Sequence, residues 1–328
     1  MILPARLQTG SHGEPQQDAV MRAPATLKLT GSNIALQVMI HRGFVSNLRP
    51  LVILNSVEFP MPPSVAFCEL MWRNGFQVIY FNRPGYGAAT RLPKALYSNE
   101  TITKGATAAA EAALILRMMR QLELKDIVLL GMGSANPVCY RLSMIAEEVA
   151  LSVYSNVVFN KDVIDVFRPK WLQHMFRQMV QSRAGLRITT AGIKFRMRRK
   201  PLDFYNLLMH QSAGDVAYLE ENPSDFISAS QIFQSVDQNT IDCDMRMSLT
   251  PDGLLKDGLF ENINAIAFSG TETPDHWQKQ LDSEASRLGI KVAYAPNGDF
   301  VAPYASPDFL IETLNKHLQP VRSVRGAP

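Results

Sequence analysis

Five short, almost wholly apolar runs set the limits on this fold: LVIL at 51–54, FQVIYF at 76–81, DIVLL at 126–130, NAIAF at 264–268 and KVAYA at 291–295. A strand with one wet face alternates apolar and polar residues, whereas a strand that does not alternate is buried on both faces. Between the runs the apolar spacing turns helical. It does so at 63–74, stopped by Gly75, at 103–122, rich in alanine, and from the turn at 131–135 through about Glu148. Two more helices are expected at 275–288, closed by Gly289, and at 306–318, with Ser306 as N-cap. Residues 149–159 read as a further strand, and 26–30 with 34–41 as a hairpin around Gly31-Ser32-Asn33. Alternating strands and helices imply an α/β fold with a mostly parallel sheet covered on both faces.

From 161 to 257 the strand signal disappears. Residues 169–181 place proline in a first helical turn and Trp171, Leu172, Met175, Phe176, Met179 and Val180 on one face. The expected organisation is a flexible leader at 1–23, a sheet-bearing core at 24–160 and 258–320, a helical insertion at 161–257 and a tail at 321–328. With 46% apolar residues in 328, the chain can bury one large core. No uninterrupted apolar run approaches about 18 residues, so no helical membrane span is expected. The N-terminus lacks a continuous apolar segment, which argues against a secretory signal. Cys68, Cys139 and Cys243 lack metal-ligand spacing and suit a reducing, cytoplasmic setting. No metal and no cofactor are expected, because no P-loop, dinucleotide fingerprint or zinc-helix motif is present.

Three local patterns resemble the α/β-hydrolase fold superfamily, with the insertion in the position of its cap domain. Asn82-Arg83-Pro84-Gly85-Tyr86-Gly87 looks like the turn after the fourth strand. Leu129-Leu130-Gly131-Met132-Gly133-Ser134-Ala135 has the context of the nucleophile elbow. Pro296-Asn297-Gly298-Asp299-Phe300, followed by Ser306-Pro307-Asp308-Phe309-Leu310, looks like the histidine loop and last helix. The resemblance covers residues 24 to 320 and implies a Ser-His-acid hydrolase, yet each catalytic position holds the wrong residue. The elbow is small-x-nucleophile-x-small; here Gly131 and Ala135 are the small residues and Gly133 stands at the nucleophile position. Asp299 occupies the histidine position and Thr273 the acid position, and neither supplies an imidazole base or its orienting carboxylate.

The resulting expectation is a non-catalytic, pseudoenzyme-like protein acting as a ligand-binding or protein-interaction module. Its ligand pocket would be formed by Asn55, Ser56, Val57, Met132 and Ser134, with Glu58, Phe59, Gly133, Thr273 and Asp299 completing the floor. The alternative is an active hydrolase or lyase with a displaced or non-triad mechanism, drawing on Ser134 or His276, with Asp162 as a displaced acid. The structural readings of these three are a helix-capping serine, a first-turn histidine and a cap-entry residue. Cys139 reads as core.

Charge adds a hint about partners. The formal net charge is +3, but ten Lys/Arg and no Asp/Glu lie between Arg168 and Lys200. The rest of the chain therefore carries 3 − 10 = −7. Phe195-Arg196-Met197-Arg198-Arg199-Lys200 mixes apolar and basic residues without a clear helical stripe. The partner classes this suggests are a small ligand under the cap or an acidic protein docking on Arg196, Arg198, Arg199 and Lys200. Nucleic acid is argued against, since neither a recognition motif nor a wholly basic domain is present. The Trp171, Phe176 and Met179 face is expected to cover the pocket in preference to a membrane surface.

Overall fold

The computed structural model describes residues 25–318 apart from 46, 158, 160–164, 166–168 and 250–253. The expected leader and tail and Asp162 lie outside the described residues. Among the described residues eight strands form one sheet: β1 (Ala25–Lys28), β2 (Ala35–Ile40), β3 (Arg49–Leu54), β4 (Phe76–Asn82), β5 (Ile127–Met132), β6 (Val149–Ser155), β7 (Ala265–Gly270) and β8 (Lys291–Ala295). Their order is β1-β2-β4-β3-β5-β6-β7-β8. The β1–β2 and β2–β4 pairs are antiparallel and every later pair is parallel. Strand β3 pairs with β4 on one side and β5 on the other, so the connections diverge there. Such a switch point opens a crevice at the carboxyl ends of the strands.

Between the strands lie α1 (Val65–Arg73), α2 (Asn99–Thr103), α3 (Ala106–Gln121) and α4 (Asn136–Ile145). Among the described residues six α-helices follow between β6 and β7: α5 (Lys170–Gln181), α6 (Arg183–Arg199), α7 (Pro201–Met209), α8 (Ala213–Glu221), α9 (Pro223–Ser235) and α10 (Gln238–Leu249). The chain closes with α11 (Asp275–Leu288), α12 (Ala302–Ala305) and α13 (Pro307–His317). Alternate strand residues part to opposite faces, as the two-residue repeat requires. Leu51, Ile53, Val128 and Leu130 pack with Phe67 and Met71 of α1 and Leu310 and Leu314 of α13. Val52, Leu54, Ile127 and Leu129 pack with α3, α4 and α11. The first core continues into the insertion through Met197, Tyr205, Phe226 and Phe233. The cap thus shares its apolar interior with the sheet. No helix among the described residues is long and apolar enough to cross a membrane.

Several local expectations change. The helix expected at 103–122 is two helices, because Lys104 and Gly105 break it and Gly105 adopts φ +69° ahead of α3. The helix after the elbow ends at Ile145, where Ala146 becomes extended. Glu148 belongs to the approach to β6: its carbonyl accepts from Ile127 N–H and its carboxylate pairs with Arg120. Strand β6 stops at Ser155, before Asn156 turns left-handed at φ +45°. Ser306 precedes α13 but does not cap it; its hydroxyl donates to Asn297 O and accepts from Asn297 N–H. Within 195–200 only Met197 is buried, and it continues a face of α6 on which Leu186 and Thr190 are buried and Ile193 half-buried at helical spacing.

Candidate functional site

At the end of β5 the backbone makes the sharp turn of a nucleophile elbow. Gly133 has φ +50°, the left-handed region that strains any residue with a side chain. Gly131 must be small: a Cβ there would lie 2.6 Å from Cys139 Sγ and 2.7 Å from Asn136 Oδ1. Ala135 on the other side is fully buried, as is Cys139. The turn expected from the sequence is therefore present, and its central residue has no side chain.

The space beside Gly133 is filled by Glu58, which the sequence placed only as part of the 55–59 pocket floor and gave no role. A Cβ on Gly133 would meet Glu58 Oε2 at 2.8 Å. Ser134 N–H donates to the same oxygen at 3.1 Å. In an acyl-transfer enzyme, the amide after the nucleophile and one from the loop after the third strand form the oxyanion hole. Here the second kind of donor is also taken, since Val57 N–H donates to Ser134 Oγ at 2.7 Å. Burial pushes the Glu58 carboxyl above the usual range, while its own N–H and that of Ser134 pull it back. The signal for Glu58 lay in composition: it is the only charged residue between 51 and 63.

Ser134 is fully buried and does not cap α4, contrary to the sequence expectation. Its hydroxyl ties the elbow to the loop after β3. Of the other expected pocket residues, Asn55, Ser56, Val57 and Met132 are buried. Asn55 Oδ1 accepts from Arg83 N–H at 2.5 Å, and Ser56 Oγ from Phe59 N–H at 3.2 Å. Above them Tyr205 of the cap stacks on Phe59, with centroids 5.5 Å apart, and its hydroxyl donates to Glu58 O at 3.4 Å. A cavity of about 700 Å³ lies elsewhere, among α1, α8 and α12, lined by Ser64, Phe67, Tyr218, Glu272, Asn297 and Tyr304 among others. A second, of about 180 Å³, is lined by Lys94, Tyr97, Arg187 and Arg246 among others. None of the five expected pocket residues lines either one.

Thr273 and Asp299, expected at the acid and base positions, do come together. Thr273 Oγ1 donates to Asp299 Oδ1 at 2.6 Å, and Ser269 Oγ lies 3.0 Å from Thr273 Oγ1. Burial raises the Asp299 carboxyl, against the pull of the Thr273 hydroxyl. The loop carrying Asp299 is held by two further carboxylates that the motifs did not reveal. Asp215 of α8 accepts from the N–H groups of Asp299, Phe300 and Val301 at 3.0, 2.7 and 3.2 Å. Glu272 accepts from Gly298 N–H, Gly214 N–H and the Ser212 hydroxyl at 2.9, 2.9 and 2.6 Å. Burial lifts Asp215 to about 6, partly offset by its three N–H donors.

Beneath the elbow, Arg83 is fully buried. It donates to Asn55 O at 2.8 Å, to Glu111 at 3.2 Å and to both oxygens of Asp244 on α10. Tyr86 donates to Asp244 as well. One guanidinium faces two carboxyls, and burial lifts Glu111 to about 7, against the attraction of Arg83. The Arg-Pro-Gly-Tyr-Gly turn therefore anchors the cap to the core.

His276 sits in the first turn of α11, its ring 5.7 Å from that of Trp277, matching the structural reading of this residue. Arg196, Arg198, Arg199 and Lys200 are exposed; Lys200 pairs with Asp203 at 3.0 Å, and Arg199 lies 4.5 Å over the Phe195 ring. No group of three potential metal-binding side chains occurs among the described residues.

No family model and no curated protein matches the sequence. Solved structures do match its shape. A bromoperoxidase from Bacillus anthracis is 16% identical, with TM-score 0.56, covering 90% of this chain and 99% of that one. An esterase from Exiguobacterium antarcticum is 13% identical, with TM-score 0.56 and coverage of 90% and 98%. An alpha/beta hydrolase enzyme from a Medee basin deep-sea metagenome library is 14% identical, with TM-score 0.54 and coverage of 89% and 96%. Identities this low establish shape and not chemistry. With its parallel sheet, left-handed elbow and helical insertion after β6, the chain has the α/β-hydrolase fold.

Proposed function

We propose that this protein is a non-catalytic member of the α/β-hydrolase fold that works as a ligand-binding or protein-interaction module. One observation carries the reading: the nucleophile position is Gly133, and the space beside it holds the carboxyl of Glu58. Acyl transfer needs a nucleophile, a base and free N–H donors for the developing oxyanion. Gly133 and Asp299 supply neither of the first two, and the two amides are engaged by Glu58 and Ser134. The structures of similar shape include an esterase, which leaves the competing reading of a displaced hydrolase or lyase to be tested directly. Against that alternative stands the role of Ser134, whose Oγ accepts a hydrogen bond from Val57 N–H inside the core. Room for a ligand exists in the cavity of about 700 Å³ between core and cap.

The test is covalent. A fluorophosphonate probe should leave the protein unlabelled, and p-nitrophenyl esters should not be turned over. Labelling at Ser134, or esterase activity lost in Ser134→Ala, would overturn the reading. Installing Gly133→Ser, Thr273→Asp and Asp299→His should remain inactive until Glu58→Ala is added, because the new side chain needs the space that Glu58 fills.

A further inference from the structure

We infer that the outward face of α5 and α6 docks peripherally on an anionic lipid surface. This goes beyond the reading of the elbow and does not depend on it. Large apolar side chains stand in solvent on these two helices: Trp171 is 66% exposed, Met175 45%, Ile188 74% and Phe195 59%. Exposed apolar groups gathered in this way mark an interaction surface. Trp171 and Met175 lie one turn apart on α5, and Ile188 and Phe195 two turns apart on α6. At about 100° per residue, Ile188 and Phe195 point opposite the covered Leu186, Thr190, Ile193 and Met197. On the same helical wheel Arg187 and Arg198 flank them on one side, and Arg196 and Arg199 on the other.

This layout, an apolar centre with cationic borders, is that of a helix lying in the headgroup region, its apolar residues in the acyl boundary and its arginines among phosphates. The charge of the segment fits the same surface: ten Lys/Arg and no Asp/Glu between Arg168 and Lys200. Arg196, Arg198 and Arg199 form no ion pair with a carboxylate among the described residues. An acidic protein would answer the arginines but give Trp171, Ile188 and Phe195 no apolar layer. A bilayer supplies both in one plane and yields to protruding side chains.

The whole chain is sedimented with vesicles of phosphatidylcholine and phosphatidylserine, and with phosphatidylcholine alone. Binding is expected only with phosphatidylserine, and should weaken as salt is added. Since each basic residue near such a surface is worth about fivefold in partitioning, Arg196→Glu, Arg198→Glu and Arg199→Glu together should lower binding by more than about a hundredfold. Trp171→Ser, Ile188→Ser and Phe195→Ser together should lower it by about tenfold or more. All six side chains are exposed, so circular dichroism and the melting curve of both variants should match the wild type. Failure to sediment with phosphatidylserine vesicles at low salt overturns the proposal. So does binding that needs the arginines but is indifferent to the three apolar substitutions, which would mark a purely electrostatic patch suited to an acidic protein.

Discussion

At the elbow, Glu58 reaches the space beside Gly133 from the loop after β3, within the core. At the loop after β8, Asp299 is held by Asp215, which comes from the cap, and its neighbour Gly298 by Glu272, from the end of β7. The two halves of one site are thus closed by carboxyls of different origin, and while Asp215 is lifted by burial as Glu58 is, Glu272 moves the other way. Burial dominates Glu58 and raises it. At Glu272 burial also pushes upward, but the Ser212 hydroxyl and the Gly214 and Gly298 N–H groups outweigh it and the carboxyl falls below its usual range. Glu58 is a plug in a buried recess, whereas Glu272 is a clamp on one hydroxyl and two N–H donors. A plug need only fill space, whereas a clamp must stay ionised to hold its donors.

The contrast can be broken at the support of either half. Arg83→Met removes the only cation facing Asp244 and Glu111 among the described residues. It should cost about 4 kcal/mol in urea unfolding, because buried carboxyls are left without a counter-charge. Asp215→Ala should cost about 3 kcal/mol, since three backbone N–H groups lose their acceptor. A loss below about 1 kcal/mol would mean that the cap does not hold the loop. Gly133→Ala should cost about 2 kcal/mol from left-handed strain and the Glu58 contact, but only about 1 kcal/mol in a Glu58→Ala background. Additivity in that double-mutant cycle would show that Glu58 is not the obstacle.

The smallest effects should be opposite pH slopes. The folded Glu58 carboxyl lies above its ordinary 4.5, so its stabilising contribution is complete below that pH and is lost as pH rises through the folded value. Glu58→Gln should therefore flatten the fall in stability on the alkaline side of 4.5. Glu272 lies below 4.5, so its contribution is present above that pH and lost as pH falls through the folded value. Glu272→Gln should flatten the acid side. Melting temperatures measured across pH for the three proteins check both signs.

The sheet was legible because buried strands announce themselves as unbroken apolar runs, and the elbow because a strained turn demands small neighbours. Thr273 and Asp299 were placed by position in the fold pattern alone, and the structure brings the two within hydrogen-bond distance. The pairings of the carboxyls that close the site were not legible. Ser134 lies 76 residues from Glu58, and the N–H groups that hold Asp215 begin 84 residues away. No local periodicity reports a pairing across such a distance. Ser306 and Ser134 were misread as caps for the same reason: a hydroxyl before a helix suggests a local partner, and both found distant ones.

The contact between Gly133 and Glu58 also bears on ancestry. A lineage that had lost a serine at the elbow could regain it by one codon change for as long as the recess stayed empty. Once a glutamate settled there, the same change would introduce a side chain against an occupied wall. Recovery would then require Glu58 to change first, a step with no catalytic benefit of its own. On the non-catalytic reading proposed above, selection for hydrolysis cannot see that first step, and the filled recess would act as a ratchet against regaining the chemistry.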